Sequence, residues 1–357
     1  MSASRASAPC AEPLPAGATL WVRGVNWLGD SVMTLPALAA FKQAHPGVRL
    51  VMACRPALAG FWALCPCVDA VQALPPGLAG DWRAAAELGR LKARRAVVLP
   101  NSFRSAWVPF LARVPQRLGF PGHARRFLLT QAVHPLSYSG SVHQALDYYA
   151  LFGISPAAVP PVLDGLLRVP GEALARMTGR LGQAAKALSG FPAGGPWLAV
   201  APGAARGGSK RWPAAHFAAA AAIAVRESGC GVIVCGTAAE RGAAAEIAAA
   251  APRATVDLTG ETSLAELAAL FRLSRAVLCN DSGPMHVAAA AGAPVAAVFG
   301  LTDPGRTGPL GRGHVILSPK GVSGKVDIAR ESAEAAAALE SIRPAEAAAA
   351  VMKLLAV

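Results

Sequence analysis

The chain has 357 residues, and its 34 Lys and Arg outnumber its 21 Asp and Glu, which gives a formal net charge of +13. Hydrophobic residues make up 54% of the chain and charged residues only 15%, which excludes an intrinsically disordered protein. Seven cysteines are too few, and odd in number, for a disulfide-stapled scaffold. The length favours two domains.

The sequence indicates neither a membrane span nor a metal site. No run of 18 apolar residues without a charge is present, and the first 17 residues lack the apolar core of a signal peptide. Cys65 and Cys67 lie two residues apart, but no second Cys or His pair follows at zinc spacing. We therefore expect ordinary thiols, no metal and a cytoplasmic location.

Apolar runs alternate with polar loops along the N-terminal half. Residues 19–23 are predicted as a strand, 31–44 as a helix, and 48–53 and 96–99 as further strands. This alternation is typical of a parallel sheet covered by helices. The Pro-rich segment 155–170 is predicted to link two domains.

The same alternation starts again after this segment. Strands are predicted at 197–201, 231–235, 276–279 and 294–299, and helices at 213–228, 240–250, 264–273, 285–291 and 344–355. Ser263 and Glu266 have the spacing of a capping box. We predict two doubly wound α/β domains, residues 18–160 and 171–343, and a closing C-terminal helix in residues 344–357. Ligands are expected at the carboxyl ends of the strands, in the cleft between the domains.

One long segment is entirely free of acidic residues. Between Glu87 and Asp147, the basic residues are Arg90, Lys92, Arg94, Arg95, Arg104, Arg113, Arg117, Arg125 and Arg126. Such a block indicates an anionic partner, such as a membrane surface or a phosphorylated lipid, or else a solvated basic face. No nucleic-acid-binding motif accompanies it, so we expect no nucleic acid partner.

Three strand-end loops carry chargeable or hydroxyl groups. Asp30, in the loop of residues 24–31, is either the cap of the next helix or a general base. Lys210 lies in the Gly-rich loop 202–213, where backbone amides and the ammonium group would bind phosphate. In the loop 280–286, Ser282 and backbone amides could hold phosphate oxygens beside His286; a helix cap with a lone surface histidine is the alternative.

Four stretches, in this order along the chain, resemble motifs of glycosyltransferase family 9, the lipopolysaccharide heptosyltransferases. They are NWLGDSVMTLPAL, NSFRSAWVPFLARVPQRLGFPG, PGAARGGSKRWP and NDSGPMHVAAAAGAPVAAVFG. The second is particularly similar to the heptosyltransferase II branch. The resemblance covers about residues 18–315 and the final helix, whereas residues 320–342 depart from the pattern and lack the cysteines of that branch.

The resemblance implies a GT-B fold, in which two Rossmann-like doubly wound domains face each other across a cleft. It implies inverting transfer of L-glycero-D-manno-heptose from ADP-heptose to the heptose/Kdo inner core of lipopolysaccharide, without a cofactor. The anionic acceptor would also explain the basic block, and we expect peripheral contact with the cytoplasmic face of the inner membrane. Two alternatives stay open: another sugar or acceptor within the family, or a nucleotide-sugar-binding protein that transfers nothing.

The resemblance also implies roles for individual residues. Asp30 would be the general base, and Lys210 would stabilise the departing ADP. The implied donor-binding residues are Gly203, Ala204, Ser209, Lys210, Glu240, Asp281, Ser282, Gly283 and His286. The implied acceptor-binding residues are Asn26, Trp27, Gly29, Arg104, Arg125 and Arg126.

Overall fold

The computed structural model describes residues 13–122, 124–136, 142–155, 161–189, 191–192, 194–320 and 329–356. The chain divides into two compact units, Met1–Val162 and Leu163–Val357. This boundary falls within the Pro-rich segment predicted as a linker, of which residues 156–160 lie outside the described residues.

The first unit is built on a six-stranded parallel sheet. Its strands are β1 Thr19–Arg23, β2 Arg49–Cys54, β3 Ala70–Ala73, β4 Arg95–Val98, β5 Gln116–Gly119 and β6 Gln131–Ala132. Its helices are α1 Leu28–Ala44, α2 Ala59–Trp62, α3 Gly77–Arg90, α4 Phe103–Leu111 and α5 Gln144–Leu151. The strand order is β3-β2-β1-β4-β5-β6, so the chain reverses its direction of winding between β1 and β4.

The second unit repeats this topology. Its strands are β7 Trp197–Ala201, β8 Gly231–Val234, β9 Thr255–Asp257, β10 Ala276–Asn280, β11 Val295–Val298 and β12 Val315–Leu317, in the order β12-β11-β10-β7-β8-β9. Its helices are α6 Gly171–Ala187, α7 Ala214–Ser228, α8 Arg241–Ala250, α9 Leu264–Leu273, α10 Gly283–Ala290, α11 Pro304–Thr307, α12 Ala333–Glu340 and α13 Pro344–Leu355. Winding reverses between β7 and β10, and the predicted α/β class with two doubly wound sheets is confirmed.

Burial explains why the central strands were visible in the sequence. Every residue of β7, β8, β10 and β11 is buried, because helices cover both faces of a parallel sheet and leave no solvent side to alternate with. Small alanines let α13 pack closely against α7 and the second sheet, where Val351 and Leu354 join the core. The predicted capping box of Ser263 and Glu266 starts α9.

The six cysteines that the structure describes are free thiols, as predicted. Cys65 and Cys67 are buried and not in disulfides, and burial raises the pKa of the Cys67 thiol to about 11. Among the helices that the structure describes, none is both long and apolar enough to cross a bilayer.

Candidate active site

The predicted loops all follow the strands at which winding reverses. In the second unit, Ala201 of β7 pairs with Cys279 of β10, so the loops that begin at residues 202 and 280 leave the sheet side by side. In the first unit, Arg23 of β1 pairs with Val98 of β4, and the loop carrying Asp30 starts at the same edge. Such reversal points, at the carboxyl ends of parallel strands, are where doubly wound sheets bind ligands.

Asn280 joins the two loops of the second unit. Its buried side chain donates from Nδ2 to the carbonyl of Pro202 at 2.7 Å, and its Oδ1 accepts from the backbone N–H of Trp212 at 3.0 Å. These bonds clamp both ends of the Gly-rich loop to the last residue of β10. Asn280 lies in one of the family-like motifs but had no predicted role, because an amide that bonds distant backbone groups has no signature in a single sequence.

Lys210 and Asp281 form an ion pair between these loops. Lys210 Nζ lies 2.5 Å from Asp281 Oδ2, which also accepts from the hydroxyl of Thr302 at 2.6 Å. The side chains of Lys210 and Asp281 are 15% and 5% exposed. An ammonium group has three N–H donors, so one can hold Asp281 while the others contact a ligand. The hydroxyl of neighbouring Ser209 is buried and makes no hydrogen bond within the described ranges.

The backbone amides of residues 207–212, in the Gly-rich loop, already have acceptors. Gly208 N donates to Glu331 Oε1 at 3.0 Å, and Ser209 N donates to the carbonyl of Arg330 at 3.1 Å. The amides of Lys210 and Arg211 donate to carbonyls within the loop. In this conformation the Lys210 ammonium and the Ser209 hydroxyl are the side-chain donors beside those amides, and phosphate binding by this loop stays a prediction. Arg330 and Glu331 belong to residues 320–342, the segment predicted to depart from the family pattern.

Glu240 lies against the Gly-rich loop, as its predicted donor-binding role requires. A Cβ atom on Gly203 would come within 2.8 Å of the Glu240 carboxylate, so a larger residue here would displace the Glu240 side chain. Glu240 Oε2 accepts from the backbone N–H and the hydroxyl of Thr237, at 2.7 and 2.6 Å. Glu240 therefore ends a 3₁₀ turn, and α8 begins one residue later than predicted. Ala204 is buried in the same loop.

The third loop ends where α10 begins, at Gly283, two residues before the predicted start. Ser282 is the residue before the helix, and its hydroxyl donates to the carbonyl of Asn280 at 3.3 Å instead of capping the helix. At the start of α10, Pro284 has no N–H and Met285 N donates to the carbonyl of Ser282 at 3.1 Å. The Gly283 amide is the first donor of the helix, and the helix dipole favours an anion there. His286 is only 4% exposed, so the alternative of a surface histidine is wrong.

Asp30 lies inside a helix in the first unit. The helix α1 starts at Leu28 and Trp27 precedes it as the cap, so Asp30 is its third residue and the capping alternative is wrong. Gln144 Nε2 lies 3.5 Å from Asp30 Oδ1 and donates to the Tyr148 hydroxyl at 3.1 Å. Burial, together with the charge of Asp30, raises the pKa of the Tyr148 phenol, which therefore stays protonated beside the carboxylate.

The strand that precedes the Asp30 loop ends in an arginine that was not among the predicted site residues. Arg23 ends β1 and donates from Nη2 to Asn26 Oδ1 at 3.1 Å, and burial lowers its pKa to about 10. Trp27 is 45% exposed, and Gly29 lies in the first turn of α1. The sequence signal that could have identified Arg23 is its position at the carboxyl end of a predicted strand, next to a loop that contains glycines.

The three arginines predicted to bind the acceptor differ in exposure and in hydrogen-bond partners. Arg126 is exposed, and Arg104 is half exposed and forms two hydrogen bonds with Asp81, at 2.7 and 3.2 Å. Arg125 is fully buried and donates to the carbonyls of Phe120, Pro100 and Ser102. The prediction that Arg125 is a surface charge is wrong, because its N–H groups donate to carbonyls within the domain.

The fold and these loops define a nucleotide-sugar-dependent glycosyltransferase. Residues 82–335 match the model of glycosyltransferase family 9 (heptosyltransferase), and the chain belongs to this family.

Two relatives and one solved structure within this family are similar to most of the chain. The chain is 32% identical over 309 residues to lipooligosaccharide heptosyltransferase 2 of Haemophilus ducreyi. This match covers 82% of this chain and 86% of that protein. It is also 32% identical over 304 residues to lipopolysaccharide heptosyltransferase 2 of Salmonella typhimurium, covering 81% and 84%. The solved structure of E. coli ADP-heptose lps heptosyltransferase II matches with a TM-score of 0.79 and 25% identity, over 95% of this chain and 98% of that one. These matches confirm the predicted family and GT-B fold class.

Proposed function

We propose that this chain transfers L-glycero-D-manno-heptose from ADP-heptose to a heptose of the lipopolysaccharide inner core, with inversion at the anomeric carbon. The names of its relatives support the sugar and the acceptor. The observation that carries the proposal is the Lys210–Asp281 pair at the winding reversal of the second sheet, because it supplies a held cation where a diphosphate would bind.

Lys210 stabilises the departing ADP. As the bond between the sugar and the diphosphate breaks, negative charge grows on the leaving oxygen, and a positioned ammonium group favours that charge more than it favours the ground state. Asp281 and Thr302 fix the ammonium in place, which removes the cost of reorienting it during the reaction. Ser209 and the Gly283 amide at the start of α10 contribute further hydrogen bonds to the donor, and Glu240 binds its ribose.

Asp30 acts as the general base. It takes the proton of the acceptor hydroxyl as that oxygen attacks the anomeric carbon, a contribution of roughly 10²–10⁴-fold in rate. Gln144 orients the carboxylate, and Tyr148 holds Gln144. The acceptor-binding residues are Asn26, Trp27, Gly29, Arg104 and Arg126.

We propose that no metal or other cofactor takes part, since Lys210 and the helix terminus offset the charge that a metal would otherwise neutralise. Within the described ranges, no three His, Cys, Asp or Glu side chains are grouped as a metal site. The acceptor is anionic and embedded in lipid, so we also propose a cytoplasmic enzyme that contacts the inner membrane from that side.

Transfer to a defined acceptor tests the proposal. Purified enzyme is incubated with ADP-heptose and an inner-core acceptor that carries one heptose, and the product is analysed by mass spectrometry. We expect one added heptose, formed by the wild type and at least about 100-fold more slowly by Asp30→Asn. ADP-glucose and UDP-glucose serve as alternative donors, and turnover of either in place of ADP-heptose would contradict the assigned sugar. In a strain lacking this protein, lipopolysaccharide truncated after the first heptose is expected.

A further inference from the structure

The helix α4 carries its large aromatic side chains on the outside. Phe103, Trp107 and Phe110 recur at spacings of four and three residues, which places them on one helical face. Phe103 and Phe110 are 40% and 36% exposed, and Trp107 is half-buried. The opposite face, which packs against the domain, contains Ser105, Ala106, Val108 and Pro109. The largest apolar side chains of α4 therefore lie toward its exposed side, whereas those of a soluble amphipathic helix face the core.

The aromatic rings form one continuous row. The ring centroids of Phe103 and Trp107 lie 5.9 Å apart and those of Trp107 and Phe110 lie 5.8 Å apart, both stacked. Phe127, which is 67% exposed, extends the row at 5.9 Å from Phe103. We call Phe103, Trp107, Phe110 and Phe127 the aromatic row. An exposed apolar patch of this kind marks an interaction site.

Cations flank the aromatic row at both ends. Arg104 and Arg126 lie beside its first rings in sequence, and the Arg117 guanidinium lies 5.6 Å from the centre of the Phe110 ring. Beyond the C-terminal end of α4, a cavity of about 320 Å³ is lined by Lys92, Arg94 and Arg113. Asp81, on the neighbouring helix α3, is already bound to Arg104.

We propose that the aromatic row and its flanking cations dock on the surface of an anionic lipid bilayer. Aromatic rings beside arginines suit the boundary between lipid headgroups and acyl chains, where the rings are buried and the cations meet phosphate. The inference rests on the proposed function in one respect, since it takes the lipid-anchored acceptor as the reason for a membrane partner. The docking surface includes the four side chains of the aromatic row, none of which belongs to the candidate active site.

Shape and charge favour a bilayer over other partners. The three rings of α4 span about 10 Å along the exposed side of a helix, whereas sugar sites are concave. A second copy of this chain would bring the same +13 net charge to the contact, and like charges oppose such an association.

Vesicle sedimentation tests the proposal with the full chain. Binding is measured to phosphatidylcholine vesicles with and without 30% phosphatidylglycerol, at low and high salt. We expect salt-sensitive binding to the anionic vesicles, and a loss of at least about tenfold, or about 1.4 kcal/mol, for the double variant Phe103→Ser/Phe127→Ser. Val162→Ser, which changes a residue that is 52% exposed outside the row, is the matched control and should bind as the wild type does. Arg126→Glu should weaken binding more than Arg253→Glu, an exposed arginine of the second unit.

Two further measurements separate the possible failures. Unfolding curves establish that the variants are folded, and turnover is measured with a delipidated, soluble acceptor. An unchanged KM for that acceptor in the aromatic double variant supports a membrane role, whereas a raised KM with unchanged vesicle binding would assign the row to sugar stacking and overturn the proposal. Wild-type binding by the double variant would also overturn it. If the wild type binds vesicles but transfers no heptose, the proposed function fails and the docking surface stands.

Discussion

Replacing Lys210 by methionine removes its charge and keeps an unbranched side chain of similar length. The variant leaves Asp281, which is 5% exposed, without its cation 2.5 Å away. Removing one partner of a buried ion pair costs about 3–5 kcal/mol. Thr302 still donates to the same carboxylate oxygen at 2.6 Å, and Lys210 itself is 15% exposed. We therefore expect the free energy of unfolding to fall by about 2–3 kcal/mol, at or below the lower end of that range.

A second substitution separates stability from binding. In Lys210→Met/Asp281→Asn, the buried group is neutral, so urea unfolding should show that most of the lost stability returns. The affinity for ADP should not return, because a charged hydrogen bond to phosphate contributes about 1.5–3 kcal/mol. Calorimetry should therefore show ADP binding about 10- to 150-fold weaker in both variants.

A neighbouring cation provides the control. Arg206 lies in the same loop and is exposed, so Arg206→Met should change ADP affinity by less than about threefold. Wild-type ADP affinity in the destabilised Lys210→Met variant would reduce Lys210 to a structural residue. Recovery of both stability and ADP affinity in the double variant would show that the single substitution acts only by exposing an unpaired carboxylate.

Four more predictions follow from named contacts. Asp30→Asn should lower kcat by about 100-fold or more, with KM for ADP-heptose nearly unchanged in steady-state assays; a fall of less than threefold would exclude Asp30 as the base. Arg125→Lys cannot reproduce the five N–H donors that bond buried carbonyls. Urea unfolding should therefore show that the free energy of unfolding falls by about 2–4 kcal/mol. The control Arg126→Lys changes an exposed residue and should lower it by less than about 0.5 kcal/mol. Glu331→Gln keeps an acceptor for Gly208 N but removes a negative charge beside the donor loop. Because the Glu331 carboxylate should repel the phosphates of ADP, calorimetry should show ADP binding about two- to fivefold tighter at low salt. Weaker ADP binding would refute this repulsion. Turnover should survive EDTA, and its loss with recovery on adding Mg²⁺ would contradict a metal-free mechanism.

The sequence predicts the central sheet strands and their loops because their signals are local. A fully buried parallel strand is a short apolar run, and the loop after it collects Gly, Asp and Ser. The start of α1 was misplaced because Trp27 precedes the helix without a side-chain capping bond, so the usual capping signal is missing. Short edge strands such as β9 and β12 were not predicted, since their partly buried residues form no apolar run.

The environment of a charged side chain was harder to predict. Arg125 lies in an acid-free segment, so composition counts it as part of a basic surface. Its partners are carbonyls at Phe120 and Pro100, and any residue could supply them. The same reasoning applies to Glu331, whose bond to Gly208 N joins segments 123 residues apart.

In the proposed mechanism, one topology serves two chemical tasks. Both sheets have the same strand order and place their loops at the winding reversal, so the fold alone does not decide what each loop does. In the first unit, that edge carries Asp30, half-buried and close to two neutral side chains, which suits a carboxylate that must accept a proton. In the second, the corresponding edge carries an ammonium group fixed by a buried carboxylate, which suits a diphosphate that must leave. The difference lies in a few side chains after β1, β7 and β10, and exchanging those residue types between the units would abolish transfer while leaving both sheets intact.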